Sequence, residues 1–223
     1  MLSQRPASGV AGSSHSKTAA KGLLTSGYAM TMNEQTEATG RKTGLAPLLC
    51  PHPRMLILGS LPGDRSLELQ EYYGHPQNRF WRVIAAVHGL PCPYGYEEKK
   101  AMLGRCRIAL WDIYHAASRP GSMDSDIRRA EFNDIARLLA DFPEIAAVAL
   151  NGSTAAKGFD RYVESSPVLS IGNAETPTEW NRSLVRIAER SLSVLRLPST
   201  SPANARWTFE RLAGAWEVIG NVA

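Results

Sequence analysis

The sequence predicts an α/β fold, a three-layer α/β/α sandwich around a central, mainly parallel four-stranded sheet. Short apolar runs of strand length recur along the chain, and stretches with apolar residues at helical spacing lie between them. Strands separated by helices cannot pair as hairpins, so they need crossover connections, which favour a parallel sheet with helices on both faces.

Each predicted strand is an apolar run that ends at a glycine or polar residue or leads directly into a loop. The strands are Met55–Gly59, Arg107–Asp112, Ile145–Leu150 and Leu192–Leu197. The predicted helices share an amphipathic pattern. They are Arg79–His88, Glu131–Ala140, Thr154–Val163 and Pro202–Ile219. Active sites of such sheets lie beyond the carboxyl ends of the strands, so the loops there are the candidate site.

The region between the third helix and the fourth strand follows the alternating pattern less clearly. A short strand at Val168–Ile171 and a helix around Trp180–Glu189 are predicted there, without a functional role. An insertion over residues 171–190 is one interpretation of this region.

Composition indicates one domain, residues 51–223, preceded by a disordered extension, residues 1–45. The chain has 223 residues, 43% of them hydrophobic, enough for one substantial core. The extension is rich in Ser, Thr, Gly and Ala and lacks a sustained apolar period. For its first 30 residues, an organellar transit peptide or a start at Met30 or Met32 are alternative interpretations.

The net charge of +4 does not decide the class of partner. The extension holds five Lys/Arg and two Asp/Glu, which leaves 20 and 19 in the remainder, so any nucleic-acid surface must be a local basic strip. The three cysteines form no C-x-x-C pair, which argues against a zinc site and a disulfide framework. This cysteine usage predicts reduced thiols and a cytoplasmic protein. No apolar run approaches the roughly 20 residues that span a bilayer, so we expect no membrane binding.

Two loops near the first strand carry unusual residues. The loop Gly59-Ser-Leu-Pro-Gly63 is predicted to be a tight turn that lets backbone approach a ligand, although such turns are common in α/β proteins. The segment Tyr72–Trp81 places tyrosines, an imidazole and amides before a helix. Asn78 is predicted to cap that helix, which would fix it at the mouth of the sheet, while Phe80 and Trp81 are interpreted first as core residues.

Two more loops repeat the pattern after the third and fourth strands. In Leu150-Asn-Gly-Ser-Thr154, Asn151 could be a helix cap or a site residue. In Leu197-Pro-Ser-Thr-Ser-Pro-Ala-Asn204, Ser201 and Pro202 have the form of an N-cap and a first helical residue. Amides and hydroxyls at a helix start favour phosphate binding.

Taken together, these motifs resemble the uracil-DNA glycosylase superfamily over roughly Met55 to Trp216. The resemblance rests on the Gly59–Gly63 loop, Gly74-His-Pro-Gln-Asn-Arg-Phe-Trp81, Leu150-Asn-Gly152 and Leu197-Pro-Ser199. The Tyr72-Tyr73 pair and the form of the last loop are more similar to the hypoxanthine-DNA (deoxyinosine) glycosylase branch. In the mismatch-specific uracil/thymine branch an Asn of the first loop positions water; here Leu61 holds that place, and Leu197 replaces a second Asn.

The resemblance implies a monomeric, monofunctional DNA N-glycosylase of base excision repair without a metal or cofactor. Its partner would be double-stranded DNA with a deaminated base: hypoxanthine, or uracil or xanthine. Catalytic roles fall to Asn78, which would position water, to Asn151, and secondarily to His75 as an acid. Residues implied to bind the base are Gly59, Ser60, Leu61, Pro62 and Gly63, with Tyr73 or Phe80 as the stacking face. Residues implied to contact DNA are Pro198, Ser199, Thr200, Ser201 and Asn204.

Several alternatives stay open at the level of sequence. Asp64, Asp112 or Asp126 could serve as a base, and each also fits a cap or turn. The preferred base could instead be uracil, xanthine or an ethenoadduct. Because Leu61 replaces a catalytic amide, a catalytically silent domain that binds damaged DNA is a further alternative. A nucleotide-binding enzyme is disfavoured because no G-x-G-x-x-G or P-loop motif follows a strand.

Overall fold

The computed structural model describes residues 40–172, 182–187 and 190–221, and these contain a six-stranded sheet and a three-stranded sheet. The strands are β1 (Arg41–Thr43), β2 (Met55–Gly59), β3 (Ile108–Asp112), β4 (Tyr114–Ser118), β5 (Arg128–Phe132), β6 (Ala147–Asn151), β7 (Leu169–Gly172), β8 (Arg182–Ile187) and β9 (Arg190–Leu197). The α-helices are α1 (Asp64–Leu69), α2 (Phe80–Val87), α3 (Tyr96–Cys106), α4 (Ile135–Asp141), α5 (Ser153–Ser165) and α6 (Phe209–Trp216).

The large sheet has the order β3-β2-β6-β9-β8-β7. Its first four strands are parallel, as predicted, and correspond to the predicted four. Antiparallel β8 and β7 extend the sheet beyond β9. The carboxyl ends of the four parallel strands are in register, with Gly59 opposite Asp112 and Asn151 opposite Leu197, so their loops leave from one edge.

Each parallel strand is buried on both faces, which explains its continuous apolar run. Met55 and Ile57 of β2 belong to a core formed with α2, α3 and α6. Leu56 and Leu58, which point to the opposite face, belong to a second core formed with α4 and α5. The helices therefore cover both faces, and the three-layer sandwich is confirmed.

The small antiparallel sheet has the order β1-β4-β5. β1 pairs with β4, so Arg41–Thr43, assigned by the sequence analysis to the extension, belong to the folded part of the chain. Residues 1–39 lie outside the described residues. Strand β5 is largely exposed, and its polar sequence Arg-Arg-Ala-Glu-Phe was predicted to be part of a coil and a helix. The predicted start of that helix at Glu131 was wrong: the helix begins at Ile135, capped by the side chain of Asp134.

Two more helix predictions were wrong. Within the predicted helix around Trp180–Glu189, residues 182–187 form strand β8, and the other residues of that segment lie outside the described part of the chain. The last helix starts at Phe209 rather than Pro202, and Thr208, not Ser201, is its N-cap. Among the described residues, no helix has the length and apolarity needed to cross a membrane.

Candidate active site

The loops after the parallel strands enclose a cavity of about 1040 Å³. The predicted site residues His75, Asn78 and Asn151 all line it. So do the whole Gly59–Gly63 loop, Tyr73, and the Pro198–Asn204 loop. The fold thus brings together segments that are more than 100 positions apart, and Asn78 lies at the wall of the cavity that the other loops form.

The shape of the Gly59–Gly63 loop depends on a buried arginine, Arg119, just after β4. Its guanidinium is fully buried and donates hydrogen bonds to the carbonyl oxygens of Leu61, at 3.0 Å, and Pro62. The carbonyls therefore point toward Arg119, while no described residue accepts a hydrogen bond from the N–H groups of Leu61 or Gly63. The Leu61 side chain packs into the second core, so this residue offers the cavity only its backbone.

Asp112 and Tyr73 place two unpaired polar groups at one point of the cavity wall. Asp112 Oδ2 and the Tyr73 hydroxyl are buried without a hydrogen-bond partner in the described part of the chain. A Cβ atom on Gly59 would collide with Asp112 Oδ1 and lie 3.4 Å from the Tyr73 hydroxyl, so both groups converge on this glycine. Both residues line the cavity.

Burial raises the pKa of both groups. Burial, reinforced by the charge of Asp124 and opposed by Arg119, raises the pKa of Asp112 to about 7. Burial and the neighbouring Asp112 carboxylate raise the pKa of Tyr73 well above its usual value, and the nearby Asn151 amide offsets part of this rise. Tyr73 therefore stays a hydroxyl donor at neutral pH. Asp112 titrates close to neutral pH.

Tyr73 is held in place by its backbone and by Phe80. Its φ of 53° lies in the left-handed region, which a tyrosine rarely adopts and which is common at functional sites. Its ring stacks on Phe80 with 3.9 Å between ring centroids. Phe80 is fully buried and does not line the cavity, so the prediction of Phe80 as a stacking face for the base was wrong. It supports Tyr73 from behind.

Asn78 lies just before helix α2 and is half-buried. The prediction of Asn78 as the N-cap was wrong by one residue, because the helix starts at Phe80 and Arg79 is its N-cap. The Asn78 side chain still contacts the start of the helix, since its Oδ1 accepts a hydrogen bond of 3.0 Å from the N–H of Phe80. No described residue pairs with Asn78 Nδ2, which is free to bind a ligand or water. His75 is exposed, and its Nδ1 accepts a hydrogen bond from the Gln77 N–H.

Asn151 is buried at the end of β6 and binds Thr200. Its Nδ2 donates to Thr200 Oγ1 at 3.0 Å, and its Oδ1 accepts from the Thr200 N–H at 2.9 Å. These bonds use the Asn151 oxygen and leave one Nδ2 hydrogen for other contacts. Thr200 is itself fully buried, so the predicted phosphate contact of its side chain was wrong, and its hydroxyl instead fixes the loop after β9 to β6.

Arg79 holds the rest of that loop. Its guanidinium donates hydrogen bonds to backbone carbonyls of the loop, namely those of Thr200, Ser201, Asn204 and Trp207. Within the loop, Asn204 Nδ2 donates to the Ser199 carbonyl at 2.9 Å. Residues 198–207 are therefore an ordered connection rather than the helix start that Ser201-Pro202 suggested.

Several residues that the structure places at the site carry no signal in the sequence. Arg119 and Asp124 had no recognisable motif, although Asp124 accepts a 2.8 Å hydrogen bond from Ser60. Exposed Lys157 and Arg206 line the cavity, and neither takes part in an ion pair within the described ranges. Their helix and loop positions alone gave no functional signal.

The three aspartates considered as bases are separated by the fold. Asp64 lines the cavity but forms an ion pair with Lys42, and Asp126 does not line the cavity. Asp112 is the one of the three that is buried at the cavity wall. Among the described residues, no group of three or more His, Cys, Asp or Glu side chains could hold a metal ion.

Comparisons with known proteins agree on one family. The model of the "Uracil DNA glycosylase superfamily" matches residues 46–220. A hypoxanthine DNA glycosylase from Methanosarcina acetivorans is 35% identical over 179 residues, which are 80% of this chain and 97% of that protein. Another from Methanosarcina barkeri is 34% identical over 137 residues, 61% of this chain and 82% of that protein.

A solved structure agrees with the sequence comparisons. A solution NMR structure from M. acetivorans, described as a candidate uracil DNA glycosylase, has a TM-score of 0.62 and 31% identity, and the match covers 81% of this chain and 96% of that one. This chain therefore belongs to the uracil DNA glycosylase superfamily.

Proposed function

We propose that this protein is a DNA glycosylase that removes hypoxanthine from deoxyinosine in double-stranded DNA, as the first step of base excision repair. Two relatives that are named hypoxanthine DNA glycosylases support this substrate. The observation that carries the proposal is that Asn78, the amide of the His-Pro-Gln-Asn segment, lines the cavity formed by the strand-end loops.

In the proposed reaction, water attacks C1′ of a nucleotide that has been rotated out of the duplex. The water oxygen bonds to C1′ as the C1′–N9 bond breaks, and the electron pair of that bond leaves with the base. The proton that the water loses is balanced by the one that the departing base takes up, so the products are an abasic sugar with a C1′ hydroxyl and neutral hypoxanthine. Asn78 orients this water, because a carboxamide can both donate and accept and its Nδ2 has no protein partner. His75, exposed at the cavity rim, is the secondary candidate for protonating the leaving base.

The Gly59–Gly63 loop binds the leaving base through its backbone. The N–H groups of Leu61 and Gly63 have no protein acceptor and can stabilise charge that gathers on the purine as the bond breaks. Arg119 keeps this arrangement by holding the loop carbonyls on the far side. Asn151 contributes one remaining Nδ2 hydrogen and, through Thr200, the position of the next loop.

The Pro198–Asn204 loop contacts the DNA backbone and fills the space that the extruded nucleotide leaves. Pro198, Ser199, Ser201 and Asn204 keep this proposed role. Lys157 and Arg206, which line the same cavity, supply positive charge for the flanking phosphates. We expect the protein to act as a monomer in the cytoplasm.

The test is release of base from duplexes with one deoxyinosine, run under single-turnover conditions beside deoxyuridine. We expect the parent protein to release hypoxanthine and Asn78→Ala to be slower by about 10²–10³-fold, because the water is no longer oriented. Asn78→Ala also loses the hydrogen bond from the Phe80 N–H at the start of helix α2. The control is therefore a variant that loses a similar bond at the start of another helix.

Asp134→Ala is the matched control. It removes the cap bond to the Arg137 N–H of helix α4, at a residue that does not line the cavity, and should destabilise the fold to a similar degree without slowing base release. Parental rates for Asn78→Ala would overturn its role. Lesion-dependent binding by the parent without release of any base would instead favour a catalytically silent domain.

A further inference from the structure

We infer that Asp112 and Tyr73 form a pair that recognises the lactam edge of a deaminated base, an N–H beside a C=O, and rejects the amino edge of adenine. The inference rests on the proposed function and deepens it, because it names the groups that separate damaged from normal purines. It changes the predicted contact of Tyr73 from the face of the base to its edge.

The two groups are unpaired in residues that line the cavity. Asp112 Oδ2 and the Tyr73 hydroxyl are buried polar atoms with no partner in the described residues, and a buried polar group without a partner destabilises the folded protein. Both residues line the cavity and both converge on Gly59, whose missing side chain leaves the space for them. A ligand that pairs with both groups at once would remove this cost.

The chemistry of the pair selects one kind of edge. A carboxylate only accepts hydrogen bonds, so it matches the N1–H of hypoxanthine. A tyrosine hydroxyl donates, so it matches the adjacent O6, and burial keeps Tyr73 protonated. Uracil and xanthine offer the same N–H and C=O neighbours. Adenine presents an unprotonated N1 to the carboxylate, which places two acceptors against each other.

Neighbouring residues hold both members in place. The Asp112 backbone carbonyl accepts a 2.8 Å hydrogen bond from Asn133, which fixes the end of β3. The Tyr73 ring is stacked on buried Phe80, and its left-handed backbone is set by the turn before Gly74. Preorganised groups of this kind discriminate more strongly than mobile ones, since little ordering is needed when the base binds.

The test compares inosine with adenosine in otherwise identical duplexes, using single-turnover base release. Binding is measured with the 2′-fluoro-arabino analogues of both nucleosides, whose glycosidic bonds resist hydrolysis, so that a preference can be determined even where adenine release is too slow to follow. In Asp112→Asn the amide can donate to N1 of adenine, so we expect the preference for inosine to fall by about 10- to 100-fold.

Tyr73→Phe should slow release of hypoxanthine about tenfold while the stacked ring remains. Tyr162→Phe is the matched control, because it removes a hydroxyl that accepts from the Ala136 N–H on the other side of the sheet. Its inosine preference should equal that of the parent.

The outcomes separate this inference from the proposed function. A parent protein that releases no base from any duplex would contradict the function itself. A parent that releases hypoxanthine, with an unchanged inosine preference in Asp112→Asn and Tyr73→Phe, would overturn only the recognition pair. An equal loss on inosine and adenosine would also overturn it, because such a loss indicates a role in bond cleavage rather than in selection.

Discussion

Replacing Arg79 should loosen the loop of residues 198–207 and destabilise the whole domain. The Arg79 guanidinium donates to four backbone carbonyls of that loop. A hydrogen bond from a charged donor contributes on the order of 1.5–3 kcal/mol. Bonds that share one half-buried cation do not add fully, so we expect Arg79→Met to lower the free energy of unfolding by about 3 kcal/mol. For a domain of this size that corresponds to a fall in Tm of roughly 6–12 °C.

Urea unfolding and thermal unfolding measure this loss directly. Arg79→Lys should recover little of it, because an ammonium group cannot reach four carbonyls at once. Arg105→Met, at an exposed position of helix α3, is the control and should change the free energy of unfolding by less than about 0.5 kcal/mol. The reasoning would be refuted if the free energies of unfolding of Arg79→Met and the parent differed by less than about 0.5 kcal/mol, which is the usual effect of a surface substitution. Weaker binding of the abasic product duplex by Arg79→Met would connect the loop to DNA contact.

Gly59→Ala should reduce base release on every substrate, because its methyl group would collide with Asp112 Oδ1; equal activity of the variant would show that the carboxylate can move aside. Asn151→Ala leaves buried Thr200 without its partners, so we expect the free energy of unfolding to fall by about 2 kcal/mol in urea. Burial raises the pKa of Asp112 to about 7, from 3.8, so the folded state keeps a proton that the unfolded state releases. The free energy of unfolding should therefore decrease as the pH rises from about 4 to 7, and this slope should be shallower in Asp112→Asn.

Residues with a periodic or strongly local signal were predictable from the sequence. The four parallel strands are buried on both faces, so their apolar runs stand out in the chain. Strand β5 was missed because it is largely exposed and carries no apolar alternation. The start of helix α6 was misplaced because Ser201-Pro202 and Thr208 both fit an N-cap, and Arg79, far away in sequence, holds the intervening residues outside the helix.

The sequence by itself determined the family, the sandwich and the loops that meet at the carboxyl ends of the strands, because these depend on short motifs and on periodicity. Only the tertiary structure decided among the side chains within those loops. It buried Thr200, it placed Tyr73 rather than Phe80 at the cavity, and it selected Asp112 from three equivalent aspartates. Whether a side chain is buried, and whether it has a hydrogen-bond partner, depends on contacts between segments that are distant in the sequence. Local motifs and periodicity do not show which of these segments become neighbours in the fold.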